Sequence, residues 1–220
     1  MGEMTKDAWS RLAAAYDTDH TFIAGADLVD AVREHLAATV PRGRVVELGC
    51  GTGLYTTAYA GHCEQVLALD LSSDMVEMAH CTLSAIPQAE ARVADATATG
   101  LPSGEADAVV AVNLLHVVPD AKAVLTEVRR LLRPNGVLIA VDATGQGLSA
   151  RQMIAAGWRI IRRWGPVPPR AKGQRDLDQP GLEALVLQEG FESVTGHLLT
   201  GRRMNAACVQ ALTPALAAAA

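Results

Sequence analysis

The chain has 220 residues, of which 50% are hydrophobic and only 4% aromatic, and its formal net charge is −5. This length predicts one core of ordinary size, filled mainly by Ala, Val and Leu, rather than two independent domains. The negative charge argues against a protein whose whole surface wraps nucleic acid, although a local basic segment is compatible with it.

The four cysteines, Cys50, Cys63, Cys81 and Cys208, form neither a Cys-x-x-Cys pair nor a Cys/His cluster with zinc spacing. We therefore expect free thiols in a reducing compartment and no metal site. Residues 1–6 carry charge and lack the apolar core of a signal peptide, and the sequence has no run of about 18 apolar residues. These features predict a soluble, cytoplasmic protein without stable membrane insertion.

The N-terminal part of the chain predicts helices followed by a glycine-rich turn. Apolar residues at helical intervals predict two short helices between Thr5 and Val40, separated near 18–25. A strand at 44–48 leads into Gly49-Cys50-Gly51-Thr52-Gly53, and a helix is predicted at 54–61. Alternate glycines remove Cβ atoms that would keep a ligand from the backbone, and a helix start offers free N–H groups. The turn therefore predicts a site for a nucleotide-like anion.

The central part of the chain alternates strands and helices. The apolar run Gln65–Asp70 predicts a second strand that ends on a carboxylate, and Ser72-Ser73-Asp74 can cap a helix to about Ser84. Further strands are predicted at 89–95, 105–113 and 137–142, with a helix at 121–132 that Pro134-Asn135-Gly136 would stop. This order predicts a doubly wound, mostly parallel sheet with ligands beyond the carboxyl ends of its strands. The residues at those ends are Gly49, Asp70, Asp95, Asn113 and Asp142.

The pattern changes beyond Asp142. The predicted elements are a helix at 148–164, a loop at 166–172, a helix at 182–189 and strands at 192–199 and 203–209. The short link at 200–202 predicts a hairpin, which would place one antiparallel strand in the otherwise parallel sheet. The tail at 214–220 ends in four alanines and is expected to fray.

A basic segment runs from Arg151 to Arg175, with seven Lys or Arg residues and no acidic residue. Three interpretations are open: a solvated helix face, a lid over an anionic or aromatic substrate, and contact with an acidic membrane surface. Within this segment we expect a helix face that packs against the rest of the protein, formed by Met153, Trp158 and Trp164, rather than a group of side chains that encloses a substrate.

Five segments, in their order and spacing, resemble the class I S-adenosylmethionine-dependent methyltransferases, specifically the small-molecule branch that includes the ubiquinone and menaquinone biosynthesis enzymes. They are Val45–Gly53, Leu69–Ser72, Ala94–Ala96, Asp107–Asn113 and Leu131–Gly136. The resemblance implies an α/β, Rossmann-like, doubly wound sheet of seven mostly parallel strands, capped by N-terminal helices and a helical insertion. One methyltransferase domain over 1–220 would comprise a helical cap at 1–40, a cofactor-binding core at 44–142, a basic helical insertion at 148–178, and the last helix and hairpin at 182–210.

The resemblance also implies which residues hold S-adenosylmethionine. The methionine end would lie on the glycine turn, the ribose on the acid that ends the second strand, and the adenine beside the third strand. The residues are Glu47, Gly49, Cys50, Gly51 and Gly53 for the turn, Asp70 for the ribose, Leu71, Asp95 and Ala96 for the adenine, and Asn113 near the transferred methyl group. Chemistry agrees, because a carboxylate can accept from two adjacent hydroxyls or from an exocyclic amine.

His116 is a candidate general base, since a histidine can take a proton from an attacking hydroxyl near neutral pH. Its alternative is a packing or capping role. Tyr16 and His20 are weaker candidates, placed in helices that usually roof the substrate pocket in this family, and His197 is another weak one. Methyl transfer is an in-line displacement that depends mainly on proximity and exclusion of water, so an acceptor that is already ionised would need no base.

Other functions are less compatible with the motifs. A dehydrogenase would require glycine where Leu54 or Thr56 stands. A nucleic-acid methyltransferase would show Pro-Pro and an aromatic residue after Asn113, where Leu114-Leu115-His116 stands instead. We expect a small methyl acceptor, aromatic or anionic, reacting through O, N, S or C, and no nucleic-acid partner. A cofactor-binding regulatory or scaffold protein without methyl transfer, and a methyltransferase acting on a macromolecule, stay open.

Overall fold

The structure is a computed structural model that describes residues 6–164 and 177–215. The strands are β1 Arg44–Leu48, β2 Gln65–Asp70, β3 Ala89–Val93, β4 Ala106–Val112, β5 Leu132–Thr144, β6 Glu192–Thr200 and β7 Asn205–Leu212. The helices in this part of the chain are α1 Lys6–Leu12, α2 Tyr16–Ala24, α3 Ala26–Thr39, α4 Ser73–Leu83, α5 Ala121–Leu131, α6 Ala150–Trp164 and α7 Gln179–Gln188.

The seven strands form one sheet in the order β3-β2-β1-β4-β5-β7-β6. Neighbours from β3 to β5 pair in parallel, whereas β7 runs antiparallel to both β5 and β6. The predicted sheet with a C-terminal antiparallel strand is therefore confirmed, although the hairpin link is 201–204 rather than 200–202. The strand order reverses between β1 and β4, which is the switch point where such sheets bind ligands.

The core lies on both faces of the sheet. On one face, α5 and α7 bury Val124, Leu125 and Leu182 against β4 and β5. On the other, α3 buries Val32 and Leu36 against β1, β4 and β7. The predicted central strand β4 is buried almost throughout, as expected for a strand covered on both sides.

The N-terminal helices differ from the prediction of two helices separated near 18–25. Residues Tyr16–Ala24 form one continuous helix, and the chain breaks instead at the short turn Ala13–Ala15 and at Gly25. Gly25 has φ +96°, and a Cβ there would lie 2.6 Å from Asp27 Oδ1. The break therefore occurs where only glycine fits.

The predicted helix at 54–61 is wrong. Two three-residue 3₁₀ turns, Thr56–Ala58 and Ala60–His62, stand in its place. Thr57 Oγ1 donates to the Leu54 carbonyl (2.9 Å), and Thr56 Oγ1 donates to Glu47. Threonine hydroxyls that bond locally compete with a regular helix, which explains the tighter turns.

The helix predicted at 121–132 is confirmed to within one residue, but the strand predicted at 137–142 begins earlier and includes Pro134-Asn135-Gly136. Helix α5 ends at Leu131, and β5 begins at Leu132 and runs through this segment. The pairing of β5 with β4 shifts register there, and Asn135 has φ +59°. A β-bulge accommodates both the proline and the left-handed residue.

Helix α6 is amphipathic, but its apolar stripe faces outward. Ile154 is 75% exposed and Trp158 56%, so the predicted packed helix face is wrong. The opposite side meets α2, where Ala156 is buried and Arg163 forms an ion pair with Asp19 (3.2 Å). Within the described ranges, no helix is both long and apolar enough to cross a bilayer. The predicted loop at 166–172 and most of the tail lie outside the described residues.

Candidate functional site

A cavity of about 310 Å³ opens at the carboxyl ends of β1, β2 and β4. It brings together seven of the ten residues predicted to hold the cofactor: Gly49, Gly51, Asp70, Leu71, Asp95, Ala96 and Asn113. Its walls also include residues that the sequence did not single out for binding, among them Trp9, Met75, Thr97, Leu114, Val117 and Val118. The apolar residues that follow β4 in the sequence could have indicated Leu114, Val117 and Val118.

The glycine turn fits tightly between the loop after β4 and the N-terminal helices. Gly49 has φ +70°, and a Cβ there would lie 2.7 Å from Leu114 Cδ1. Gly51 has φ +54°, and its Cβ would point to within 4.0 Å of the Tyr16 ring. A side chain at Gly49 would therefore both strain the backbone and displace the wall of the cavity.

Asp70 connects the turn to the next helix. Its two carboxylate oxygens accept from the backbone N–H groups of Gly51 and Ser72, each at 2.9 Å. Each oxygen can accept more than one hydrogen bond, so the carboxylate keeps capacity for two adjacent hydroxyls. Burial raises the pKa of Asp70, and the two N–H groups oppose that rise.

The far end of the cavity carries a polar group beside apolar walls. Asp95 Oδ1 accepts from both the backbone N–H (2.8 Å) and the hydroxyl (2.7 Å) of Thr97, which leaves its second oxygen for another donor. Leu71, Ala96 and Val118 line the same cavity. This combination suits a flat base with an exocyclic amine.

Glu47, Cys50 and Gly53 do not line the cavity, although the family pattern placed them at the cofactor. Glu47 is 1% exposed and accepts from Thr56 Oγ1 (2.5 Å) and Tyr59 Oη (2.6 Å). Burial raises the pKa of Glu47 to about 7, against these two hydrogen bonds. Cys50 is buried as well, which raises the pKa of its thiol. The three residues thus support the turn from beneath.

The N-terminal helices form a roof over this turn, defined by Trp9 and Tyr16 in the cavity wall. Thr52 Oγ1 donates to Asp17 (2.5 Å), and the hydroxyls of Ser10 and Ser72 lie 2.9 Å apart. Burial, together with the nearby acids, raises the pKa of Tyr16, so its phenol stays protonated. Side-chain hydrogen bonds therefore connect the roof to the glycine turn and to the start of α4.

A histidine–carboxylate pair lies where β4 and β5 end. His116 Nδ1 is 2.6 Å from Asp142 Oδ1, and the Asp142 side chain is fully buried while that of His116 is 20% exposed. Asn113, with φ +54°, accepts from the Ala143 backbone N–H (3.0 Å) through its side-chain oxygen. These bonds join the two strand ends and fix the start of the loop that carries His116.

His20 approaches this pair from the roof. Its Nε2 lies 2.7 Å from Tyr55 Oη, and its ring stacks on Tyr16 at 5.8 Å between centroids. Burial, and then the nearby charge of His116, lowers the pKa of His20 to about 4. His20 is therefore neutral at neutral pH. Neither His20 nor His116 belongs to the cavity wall itself, whereas the third predicted candidate, Tyr16, does.

Comparisons with known proteins agree with this geometry. Residues 46–140 match a family model described as a methyltransferase domain. The ubiquinone biosynthesis O-methyltransferase of Xanthomonas campestris pv. campestris is 36% identical over 173 residues, covering 75% of this chain and 71% of that protein. The highly reducing polyketide synthase aurA of Calcarisporium arbuscula is 30% identical over 183 residues, which are 76% of this chain but only 7% of the synthase.

Solved structures show the same fold. A SAM-dependent methyltransferase from Thermotoga maritima superposes with a TM-score of 0.72, at 17% identity, over 95% of this chain and 100% of that one. At this identity the likeness concerns the fold alone.

Proposed function

Because the chain belongs to the class I S-adenosylmethionine-dependent methyltransferases, we propose that it methylates a small weak acid, with His116 as the general base. The acceptor would be a phenol or an enolisable carbonyl compound that has to lose a proton before its O or C atom attacks. S-adenosylmethionine would supply the electrophilic methyl group. The relative from Xanthomonas campestris, named as an O-methyltransferase, is compatible with a hydroxyl acceptor.

The His116–Asp142 pair is the observation that carries this proposal. With Nδ1 held by the buried carboxylate at 2.6 Å, Nε2 is the ring nitrogen left to accept a proton. The carboxylate fixes the tautomer and the ring orientation, and it stabilises the imidazolium that forms. Asp142 is thus a positioning residue, and its burial makes its charge more effective than it would be in water.

The residues that line the cavity support a placement of the cofactor. Gly49 and Gly51 would hold the methionine part, Asp70 the ribose hydroxyls and Asp95 the adenine amine. Asn113, which lines the cavity and lies on the loop that carries His116, would then separate cofactor from acceptor. In-line transfer requires the attacking atom about 3 Å from the methyl carbon, with water excluded by the roof.

The test compares acceptors of different acidity in the variant His116→Asn. With acceptors that are protonated at the assay pH, loss of a general base should lower kcat by about 10²–10⁴-fold. With acceptors that are already ionised, such as nitrophenols, the variant should retain nearly the full rate. Turnover would be followed as S-adenosylhomocysteine release over a panel of phenols and 1,3-dicarbonyl compounds.

Calorimetric titration with S-adenosylhomocysteine supplies the control, because the variant should bind it as the parent protein does. An equal loss with acidic and weakly acidic acceptors would refute the general-base role. Tight binding of S-adenosylhomocysteine without turnover on any acceptor of the panel would instead support the binding-protein alternative.

A further inference from the structure

A second group of ligand-type side chains lies away from the cavity, where α3 packs across the β6–β7 hairpin. His35 belongs to α3, while His197 and Cys208 are register partners on β6 and β7. Two imidazole nitrogens and one thiol sulfur come within 4.8 Å of one another there. Spacing in the sequence could not reveal the group, because its members come from opposite ends of the chain.

The surroundings of His35 favour a bound cation. Its Nε2 is buried and, within the described part of the chain, has no hydrogen-bond partner. A buried nitrogen without a partner is destabilising, and coordination would satisfy it. The rings of His35 and His197 are 4.7 Å apart, and burial, together with repulsion from His197, lowers the pKa of His35. Neutral imidazole is the form that binds metals.

We propose that His35, His197 and Cys208 bind one Zn²⁺ ion, with a fourth position open to water beside the exposed His197. Mixed imidazole and thiolate ligands are typical of tetrahedral zinc, with bonds of about 2.0–2.1 Å to N and 2.3 Å to S. Such bonds place ligand atoms about 3.4–3.6 Å apart. The three ligand atoms lie within 4.8 Å of one another, so binding requires them to move closer, and His197 is the exposed residue of the three.

Coordination includes a proton release. Zinc binds the thiolate form of a cysteine, so Cys208 has to lose its proton on coordination. As the Zn–S bond forms, the S–H bond breaks and the proton passes to solvent, because a metal-bound thiol is deprotonated. Zinc affinity should therefore increase with pH.

Zinc at this place would join α3 to the terminal hairpin. Helix α3 follows directly after α2, which carries Tyr16 and His20 of the roof. The metal would thus stabilise the cap on the sheet, and its binding can be tested without any methyl acceptor.

The experiment uses the untagged full-length chain, freed of metal by a chelator and titrated with Co²⁺ as a spectroscopic probe and then with Zn²⁺. We expect one Co²⁺ per chain with a thiolate charge-transfer band, displaced by Zn²⁺. At a Zn²⁺ concentration of about 100 Kd, Tm should rise by about 5–10 °C.

Matched variants distinguish this site from adventitious binding. Cys208→Ser should abolish the charge-transfer band, whereas Cys81→Ser, which removes the exposed thiol, should keep it. Should Cys208→Ser fail to fold, His197→Ala removes an exposed ligand and should weaken Zn²⁺ binding at least about tenfold. Absence of a thiolate band in the parent protein, or equal Zn²⁺ affinity with and without His197, would overturn the proposal.

Discussion

The cofactor half and the acceptor half of the cavity edge are built in different ways. The cofactor half consists of the glycine turn after β1 and Asp70 at the end of β2, which the backbone joins by hydrogen bonds of 2.9 Å. The acceptor half that we propose consists of His116, Asp142 and the roof residue His20, which lie outside the cavity wall and come from three separate parts of the chain. Local backbone requirements determine the first half, and tertiary packing determines the second.

This difference explains what could be predicted from the sequence. A strand that enters a left-handed turn needs glycine, so Gly49 and Gly51 were visible, and so was the acid that ends the next strand. The pairing of His116 with Asp142 depends on the register of β5 against β4, which a bulge shifts. Beyond the bulge the register is regular up to Val112 and Val141, but the loop that carries His116 begins at Asn113 with φ +54°, and the path of that loop could not be predicted from the sequence.

Errors in the cofactor half had a local cause as well. The helix expected at 54–61 required a regular backbone, but Thr56 bonds to Glu47 instead. The family pattern placed Glu47 at the cofactor, and in the structure its side chain is buried against Thr56 and Tyr59 and does not line the cavity. Family patterns identify which residues matter to a turn, but they do not show on which side of it each one lies.

The largest expected effect is on the acceptor half. Asp142→Asn removes the charge that orients His116 and should lower kcat by about 10²–10⁴-fold with weakly acidic acceptors. Affinity for S-adenosylhomocysteine should change less than about twofold, since the residue lies outside the cofactor half. The measurement is steady-state kinetics beside calorimetry. A parallel loss of cofactor affinity would show that the two halves are not separable.

Asp70→Ala should instead lower the affinity for the cofactor. Two charge-assisted hydrogen bonds to the ribose would be lost, which should weaken S-adenosylhomocysteine binding by about 10²–10³-fold. The matched control is Asp74→Ala, which removes an exposed carboxylate from the first turn of α4. Calorimetric titration of both variants decides the matter, and equal affinities would remove Asp70 from the site.

Glu47→Gln tests the support beneath the turn. The folded-state pKa of Glu47, about 7, exceeds its ordinary value of 4.5, so its contribution to stability is present below pH 4.5 and is lost as pH rises through 7. The variant keeps an acceptor for Thr56 and Tyr59 without the buried charge. We compare the free energy of unfolding of the variant with that of the parent. The gain of the variant over the parent should be about 2–3 kcal/mol larger at pH 8 than at pH 5, as measured by urea denaturation. A pH-independent difference would contradict this account.

His20→Gln should show the opposite dependence in the acceptor half. The folded-state pKa of His20, about 4, lies below its ordinary 6.5, so stability is lost as pH falls from 6.5 toward 4. Between pH 7 and pH 4.5 the variant should lose about 2 kcal/mol less of its free energy of unfolding than the parent does, as measured by urea denaturation. An acid limb that is the same in the variant and the parent would contradict this account.

The roof has a consequence for the timing of the reaction cycle. Trp9 and Tyr16 cover the cavity, and the Thr52–Asp17 and Ser10–Ser72 contacts connect the roof to the very segments that would hold the cofactor. Each exchange of spent for fresh cofactor therefore requires these contacts to open and form again. Opening of such a cover, rather than chemistry, sets the turnover rate of many enzymes. We therefore expect α1 and α2, rather than the glycine turn itself, to limit the release of the spent cofactor.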